Sequence, residues 1–329
     1  MASDDPLLLG SRYYEQQGRR ARAVANTVQR VWRTADTFDL TGWFEASYPD
    51  VVVPILQGME GAAAQAQRYI EIQADAQGLP APTEIVDPLG FTVDPDIAAS
   101  MVYAASVIPA KEAIGQGLGL QLAAKLATKS LVRLAATMVA DAGREASQAS
   151  MTSTRFGGYV RMLRLPSCDR CAVQAGKWFR WNIGFQRHPK CDCIHIPARE
   201  SRVGDTSVDV VAAIRAGKVT GLSKASTAAI IEDGADPSQV INAKRGMDTA
   251  NVFGRQLQIT REGVTRRGDA YKSMGQARYV ARQGEMKLAG QRYSQWRSAR
   301  LTPSTIYSIA ENKADALRLL KLYGYIRPD

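Results

Sequence analysis

Apolar residues recur along most of the chain at the spacing of an amphipathic α-helix. Residues 7–37 contain few helix breakers and many Ala, Arg and Gln, so we predict a first helix there. A second helix is predicted for residues 55–77, because Pro49 and Pro54 interrupt the stretch before it and Gly78 follows its end. The N-terminal part of the chain is therefore expected to be helical.

A proline-rich stretch separates these helices from a second helical section. Residues 78–90 lack apolar periodicity and are interpreted as part of a linker. Asp94-Pro95 is a typical helix start, because the carboxylate can cap the helix and proline at the first position loses no needed hydrogen bond. The helical pattern continues to about Ser150. It is interrupted at residues 115–119, where three glycines would be costly inside a helix.

Short runs of aromatic residues replace the helical pattern in residues 159–197. Segments 177–181 and 191–196 are typical of strands, and we predict that they pair as a hairpin that ends at Pro197. A β unit this short can bury only a small hydrophobic core.

The remainder of the chain again favours helices. Helices are predicted at residues 207–216, 224–233, 236–246 and 271–300. A hairpin or an extended arm is predicted at residues 251–268. A terminal helical pair is predicted to begin at Thr302-Pro303 and to stop at Gly324. The two short helices joined by Gly-Ala-Asp could form a helix-turn-helix that reads DNA. An ordinary helical hairpin is favoured, because no recognition-helix chemistry is visible.

All four cysteines and both histidines of the chain lie between positions 168 and 195. The first pair of cysteines has Cys-x-x-Cys spacing, which lets two thiolates at one turn bind one metal ion, and the second pair has Cys-x-Cys spacing, which places both on one face of a strand. Tetrahedral zinc takes four such ligands at about 2.3 Å from sulfur. A structural zinc knuckle is therefore predicted, with the candidate ligands Cys168, Cys171, His188, Cys191 and Cys193.

Alternatives to this ligand set stay open. His188 could complete the tetrahedron or only hydrogen-bond a thiolate, and His195 could lie on the same strand face as Cys193. A disulfide would need a secretory route, whereas the chain begins with acidic residues at Asp4 and Asp5 instead of the basic and apolar start of a signal peptide. A redox pair would need a βαβ pattern, which is missing. If the cysteines were only small core residues, there would be no reason for both histidines to lie in the same short stretch of sequence.

The elements together predict a mainly α fold of the α+β class, with helical bundle domains and a small β-hairpin zinc-knuckle unit in the middle. The predicted segments are an N-terminal helical region at 1–80, a linker at 81–94, a helical bundle region at 95–157, the zinc-knuckle unit at 158–200 and a basic, mostly helical region at 201–329.

Several motifs resemble the Mu F-like minor head proteins of tailed bacteriophages, in particular the actinobacteriophage branch. The metal cluster carries the resemblance most specifically, through Cys-x-x-Cys, a following Ala-Gly, an aromatic hairpin and His-Pro-x-Cys-x-Cys. Softer similarity lies at residues 141–146, 187–193, 233–246, 261–268, 301–307 and 323–326. The resemblance spans roughly residues 100–329. It implies a virion protein in the head interior or at the portal vertex, present in the host cytoplasm during assembly, with the portal protein and the major capsid protein as partners and several copies around the portal.

Charge is divided unequally along the chain. Residues 1–150 contain 12 Lys and Arg against 17 Asp and Glu, a net charge of −5, and residues 151–329 contain 30 against 15, a net charge of +15, so that the two sum to +10. A basic half of this kind is expected to meet packaged double-stranded DNA or an acidic protein face, although a solvated surface would look the same. The candidate DNA contacts are Arg266, Arg267, Arg278 and Arg282.

Other classes of function are less well supported. A capsid maturation protease would need a base beside its nucleophile, and both histidines lie among the thiols; Gly-x-Ser-x-Gly and His-Glu-x-x-His are absent, and a Ser-Lys dyad stays open. A nucleic-acid-binding regulator would concentrate its basic residues in one recognition element, whereas here they are spread widely. Residues 97–110 are apolar but too short to span a bilayer, so no membrane association is expected. We therefore predict a structural protein, not an enzyme.

Overall fold

The protein is described by a computed structural model that covers residues 5–182, 193–198, 206–252, 255–265, 268–276, 285–286, 295–296 and 300–327. The chain forms two compact units. The first consists of Met1–Leu163 and Ala175–Ser207, and the second of Arg164–Gln174 and Val208–Asp329. The described chain is mainly helical with small sheets, which confirms the predicted fold class in its coarse form.

Four long helices form the frame of the first unit. They are α1 (Pro6–Trp32), α2 (Leu40–Ala76), α3 (Pro95–Gly115) and α4 (Leu120–Thr152), with a 3-10 turn at Pro88–Phe91. Asp94 caps α3 by accepting hydrogen bonds from the backbone N–H groups of Asp96 and Ile97, which confirms the predicted start. The predicted break at residues 115–119 is also confirmed, because α3 ends at Gly115 and α4 begins at Leu120.

The prediction that Pro49 and Pro54 precede the second helix is wrong, since both lie inside α2. Each proline removes a helical hydrogen bond and costs about 3 kcal/mol. Their neighbours Val51, Val52 and Ile55 are at most 2% exposed, and burial contributes about 1.5–3 kcal/mol for each such side chain. Tertiary packing therefore offsets the local cost of the prolines.

The small sheet of the first unit differs from the predicted hairpin. Strand β1 (Gly158–Met162) lies between β3 (Trp178–Arg180) and β4 (Ile194–Ala198), and both neighbours run antiparallel to it. The two predicted strands thus pair with β1, whose five residues are all buried. Pro197 lies within β4 instead of ending it, which an edge strand tolerates because its outer N–H groups have no strand partner.

One glycine makes the β1–β3 pairing possible. A Cβ at Gly158 would lie 2.0 Å from the carbonyl oxygen of Phe179 and 2.7 Å from the indole of Trp178. On the other edge of β1, Ile194 and Ile196 of β4 pack into the core. The sheet is therefore held against the helices by its isoleucine face.

The second unit combines short helices with short strands. Its elements are β2 (Ser167–Cys168), α5 (Asp169–Ala172), α6 (Val210–Arg215), β5 (Val219–Thr220), α7 (Lys224–Ile231), α8 (Pro237–Asn242), β6 (Met247–Val252), β7 (Arg255–Thr260), α9 (Asp269–Gln276), β8 (Glu285–Met286), β9 (Gln295–Trp296), β10 (Arg300–Leu301), α10 (Pro303–Ile309) and α11 (Lys313–Leu322). The hairpin β6–β7 continues to β10 in one antiparallel sheet, β2 pairs with β5 in parallel, and β8 pairs with β9. Thr302 caps α10, which confirms the predicted start of the terminal helical pair.

Three predictions for this part of the chain need correction. Of the helix predicted for residues 271–300, the described part reaches Gln276 in α9, and the described residues in the rest of that range lie in the short strands β8, β9 and β10. The helix predicted for residues 207–216 begins later, at Val210, and its cap is Asp209. The sequence spacing predicts a buried stripe of Leu317, Leu320 and Tyr323 on α11. Leu320 is buried as predicted, whereas Leu317 and Tyr323 are only partly buried and Ala316 and Leu319 complete the buried face.

Helix α3 is apolar on most of its surface. Ala98, Val102, Val107 and Ala110 pack into the core of the first unit, yet Ile97 is 56% exposed. The stretch Pro88–Gly115 is long and apolar enough to cross a membrane by length and composition, a test that helices packed into the core of a globular protein also pass. The helix is longer than the apolar run that the sequence suggested.

Candidate functional site

The Cys-x-x-Cys pair lies at one tight turn of the second unit. Cys168 ends β2 and caps the four-residue helix α5, and the backbone N–H of Cys171 donates to Cys168 Sγ at 3.3 Å. Cys171 is fully buried and Cys168 is half-buried. An N–H group that donates to sulfur favours the thiolate form, which is the form that binds metal ions.

The sulfur of Cys193 in the first unit also accepts a hydrogen bond from an N–H group. Arg161 of β1 is 3% exposed, and its Nε donates to Cys193 Sγ at 3.0 Å. Arg144 of α4 donates through Nε to the Cys193 carbonyl at 2.8 Å and forms an ion pair with Asp141 at 2.8 Å. A buried guanidinium hydrogen-bonded to sulfur gives a charge-assisted contact when the sulfur is ionised. Two arginines thus hold both the backbone and the sulfur of Cys193.

His195 is held by contacts on two sides. It lies directly opposite Arg161 in the β1–β4 ladder, and its ring meets the ring of Tyr159 edge-on at 4.2 Å between centroids. The hydroxyl of Tyr69 donates to the His195 carbonyl at 3.0 Å. Burial raises the pKa of Tyr69 well above its ordinary value, so this hydroxyl keeps its proton and remains a donor.

These donors fit zinc by their chemistry. Cys168, Cys171 and Cys193 form no disulfide with one another, and two of the three sulfurs accept N–H hydrogen bonds as metal-bound thiolates commonly do. His188 and Cys191 lie outside the described residues. Within the described ranges, no three His, Cys, Asp or Glu side chains lie close enough together to hold a metal ion. The complete zinc site therefore stays a prediction from the sequence.

No family model matches the chain, and no curated protein or solved structure matches it either. The function proposed below therefore rests on the contacts of the described residues and on the motifs that resemble phage minor head proteins.

The ion pair beside the Cys-x-x-Cys turn was not predicted from the sequence. Asp169 is 5% exposed, and its carboxylate pairs with Lys244, which also donates to the carbonyl of Gly221. Gly221 has a φ of +91°, and a Cβ there would meet Asp169 Oδ1 at 3.3 Å. The pair ties α5 to the end of α8, although Asp169 and Lys244 are 75 positions apart in the sequence.

The four arginines predicted to contact DNA, Arg266, Arg267, Arg278 and Arg282, all lie outside the described residues. Arg300, which the sequence placed near the end of a basic helix, is instead in β10 and is fully buried. Its guanidinium bonds to carbonyl groups of its own unit and lies 4.0 Å above the ring of Tyr325. Arg300 is therefore a core residue of the second unit and is not available to phosphate.

Proposed function

We propose that this chain is a structural minor head protein of a tailed bacteriophage, of the Mu F-like type, stabilised by a structural zinc ion. The virion assignment comes from the resemblance of its motifs. The contacts of the thiols are the structural observation that supports the zinc. The protein would act in the head interior or at the portal vertex and would be present in the host cytoplasm during assembly.

The positions of the thiols favour a structural role over a catalytic one. Cys171 and Cys193 are fully buried, and Cys193 is surrounded by the side chains of two buried arginines. A catalytic zinc ion needs an accessible open position for water or substrate, whereas a structural site is closed. The bond from Cys171 N–H to Cys168 Sγ and the bond from Arg161 to Cys193 Sγ instead hold the sulfurs in place.

The proposed partners are the portal protein and the major capsid protein, with packaged double-stranded DNA as a further partner of the basic half. No membrane partner is proposed.

The test of this assignment is the composition of purified virions. We expect the chain in intact heads at several copies per portal, as measured by quantitative mass spectrometry against the portal protein. Heads emptied of DNA should retain it if its main partner is the portal, and should lose it if it leaves with the DNA. Complete absence from purified virions would contradict the assignment.

Contact with DNA makes a separate prediction. If Arg266, Arg267, Arg278 and Arg282 neutralise phosphates, binding of the full chain to duplex DNA should weaken steeply with salt and ignore base sequence. Each phosphate contacted contributes a log–log slope of about −0.9, so four contacts give about −3.6.

Replacing all four with Gln should flatten that slope, because each charge removed takes away one phosphate contact and its released counterion. Fluorescence anisotropy over a salt series measures the slope. Gln in place of Arg12, Arg30, Arg33 and Arg68 of the first unit removes the same charge elsewhere and serves as the matched control. If the wild-type chain has no affinity for DNA at low salt, the basic half faces a protein instead.

A further inference from the structure

Helices α1 and α4 of the first unit flank a cavity of about 610 Å³. Small-molecule sites usually have volumes of about 300–1,000 Å³. The Tyr13 hydroxyl donates to the carbonyl of Gly143, and Trp32 Nε1 donates to the carbonyl of Ala124, so the two helices run antiparallel beside the cavity. An elongated ligand could therefore lie along both helices at once.

Three cationic side chains line one end of this cavity. They are Arg22 of α1 and Lys129 and Arg133 of α4. All three are exposed, and none forms an ion pair with a residue in the described ranges. Positive charges that converge from two helices without a carboxylate between them raise the local concentration of anions. This end of the cavity is suited to an anionic group.

The opposite end of the cavity is largely apolar. Tyr13, Ala140 and Ile194 line it, and Tyr13 and Ile194 are each 4% exposed. Glu15 adds a negative charge at this end, and Arg144, which also lines it, is already paired with a carboxylate of its own helix. An anion is therefore favoured at one end only, and the other end suits a hydrocarbon chain.

Buried polar atoms line the cavity between these two ends. Thr137 Oγ1 is buried and has no hydrogen-bond partner among the described residues, and neither has Oε1 of Gln17, a residue that is only 7% exposed. Thr137 is one helical turn from Arg133, so its hydroxyl can donate to an anion held there. Buried polar atoms are costly when unpaired, so a carboxylate oxygen that accepts a hydrogen bond from the Thr137 hydroxyl would be bound more tightly. Oε1 of Gln17 is itself an acceptor and gains nothing from a carboxylate.

We propose that this cavity binds an amphipathic monoanion, a fatty-acid-like carboxylate. The carboxylate lies at Arg22, Lys129 and Arg133, and the acyl chain runs toward Ala140 and Ile194. Tyr13 and Arg22 are separated by nine residues of helix, a rise of about 14 Å, which is similar to the length of an extended medium-chain acyl group. The proposal is independent of the assignment to a phage head.

The test uses the full chain and free dodecanoate, titrated by isothermal calorimetry below the micellar concentration. We expect one saturable site per chain, and at least tenfold weaker binding of dodecyltrimethylammonium, which has the same chain length and a positive head. The triple variant Arg22→Gln, Lys129→Gln, Arg133→Gln should bind dodecanoate at least tenfold more weakly. The matched control Arg12→Gln, Arg30→Gln, Lys125→Gln removes the same charge outside the cavity lining and should keep the wild-type affinity.

A second variant tests the apolar end. Ala140→Trp places a large side chain in the space for the acyl chain and should abolish binding, while circular dichroism checks that the helices remain folded. The proposal is overturned by the absence of saturable binding, by equal binding of the cationic analogue, or by equal loss of affinity in the control triple variant. It is also overturned if folded Ala140→Trp protein binds dodecanoate as tightly as the wild type does.

Discussion

Replacing Cys171 with Ser is expected to abolish zinc binding and to disorder the turn at Ser167–Ala172. Wild-type protein produced in metal-defined medium should carry about one zinc ion per chain by elemental analysis, and the variant close to none. A ligand present at a thousand times its dissociation constant stabilises the folded state by about 4.1 kcal/mol, and structural zinc commonly binds more tightly than that. The variant should therefore lose at least about 4 kcal/mol of stability in zinc-containing buffer.

The metal itself provides the control for this substitution. Cys171 is fully buried, so Ser in its place would cost some stability through packing alone. That cost is the same with and without zinc, whereas the loss of a ligand matters only when zinc is present. Unfolding curves of both proteins with and without a chelator separate the two effects. A wild-type chain that is folded and free of zinc, or equal losses under both conditions, would show that the thiols are not ligands.

Replacing Arg300 with Met is expected to destabilise the second unit by about 1–3 kcal/mol for each buried acceptor that loses its donor. Its Nε donates to the carbonyl of Tyr323 at 2.9 Å, and Nη1 donates to the carbonyl of Glu262 at 2.9 Å. Nη2 donates to Oε1 of Gln239 at 3.1 Å. Methionine fills similar space but leaves these acceptors without donors.

The charge state of Arg300 does not weaken this expectation. Burial lowers the pKa of Arg300 from its ordinary value, and the neighbouring Tyr325 and Glu262 act in the opposite direction. A guanidinium keeps its proton throughout the physiological range, so the cation and its contact with the Tyr325 ring persist. We therefore expect the loss on substitution to be nearly independent of pH between about 6 and 8.

Guanidinium-induced unfolding and hydrogen exchange of amides in β10 and α11 measure the effect. The matched control is Arg318→Met, because Arg318 is exposed and pairs with Asp315 three residues away, an interaction worth about 0.3–0.5 kcal/mol. If Arg300→Met costs no more than this control, the buried network contributes little and the second unit depends mainly on apolar packing.

The sequence alone determined the features that depend on neighbouring residues. Helix starts at Asp94-Pro95, Asp236-Pro237 and Thr302-Pro303 lie where the sequence predicts them, because a capping side chain bonds N–H groups two or three residues away. The break after Gly115 and the stop at Gly324 are also local, since the glycines there favour helix ends.

Only the tertiary structure decided the features that join distant parts of the chain. Pro49 and Pro54 remain in a helix because distant helices bury their neighbours, and β1 lies between two strands that sequence spacing alone had paired with each other. Arg300 is polar and follows a basic segment, so nothing local marks it as buried; partners up to 61 positions away provide its acceptors. Local rules do not encode such contacts, because the free energy of burying a polar group depends on whether the fold brings its partners to it.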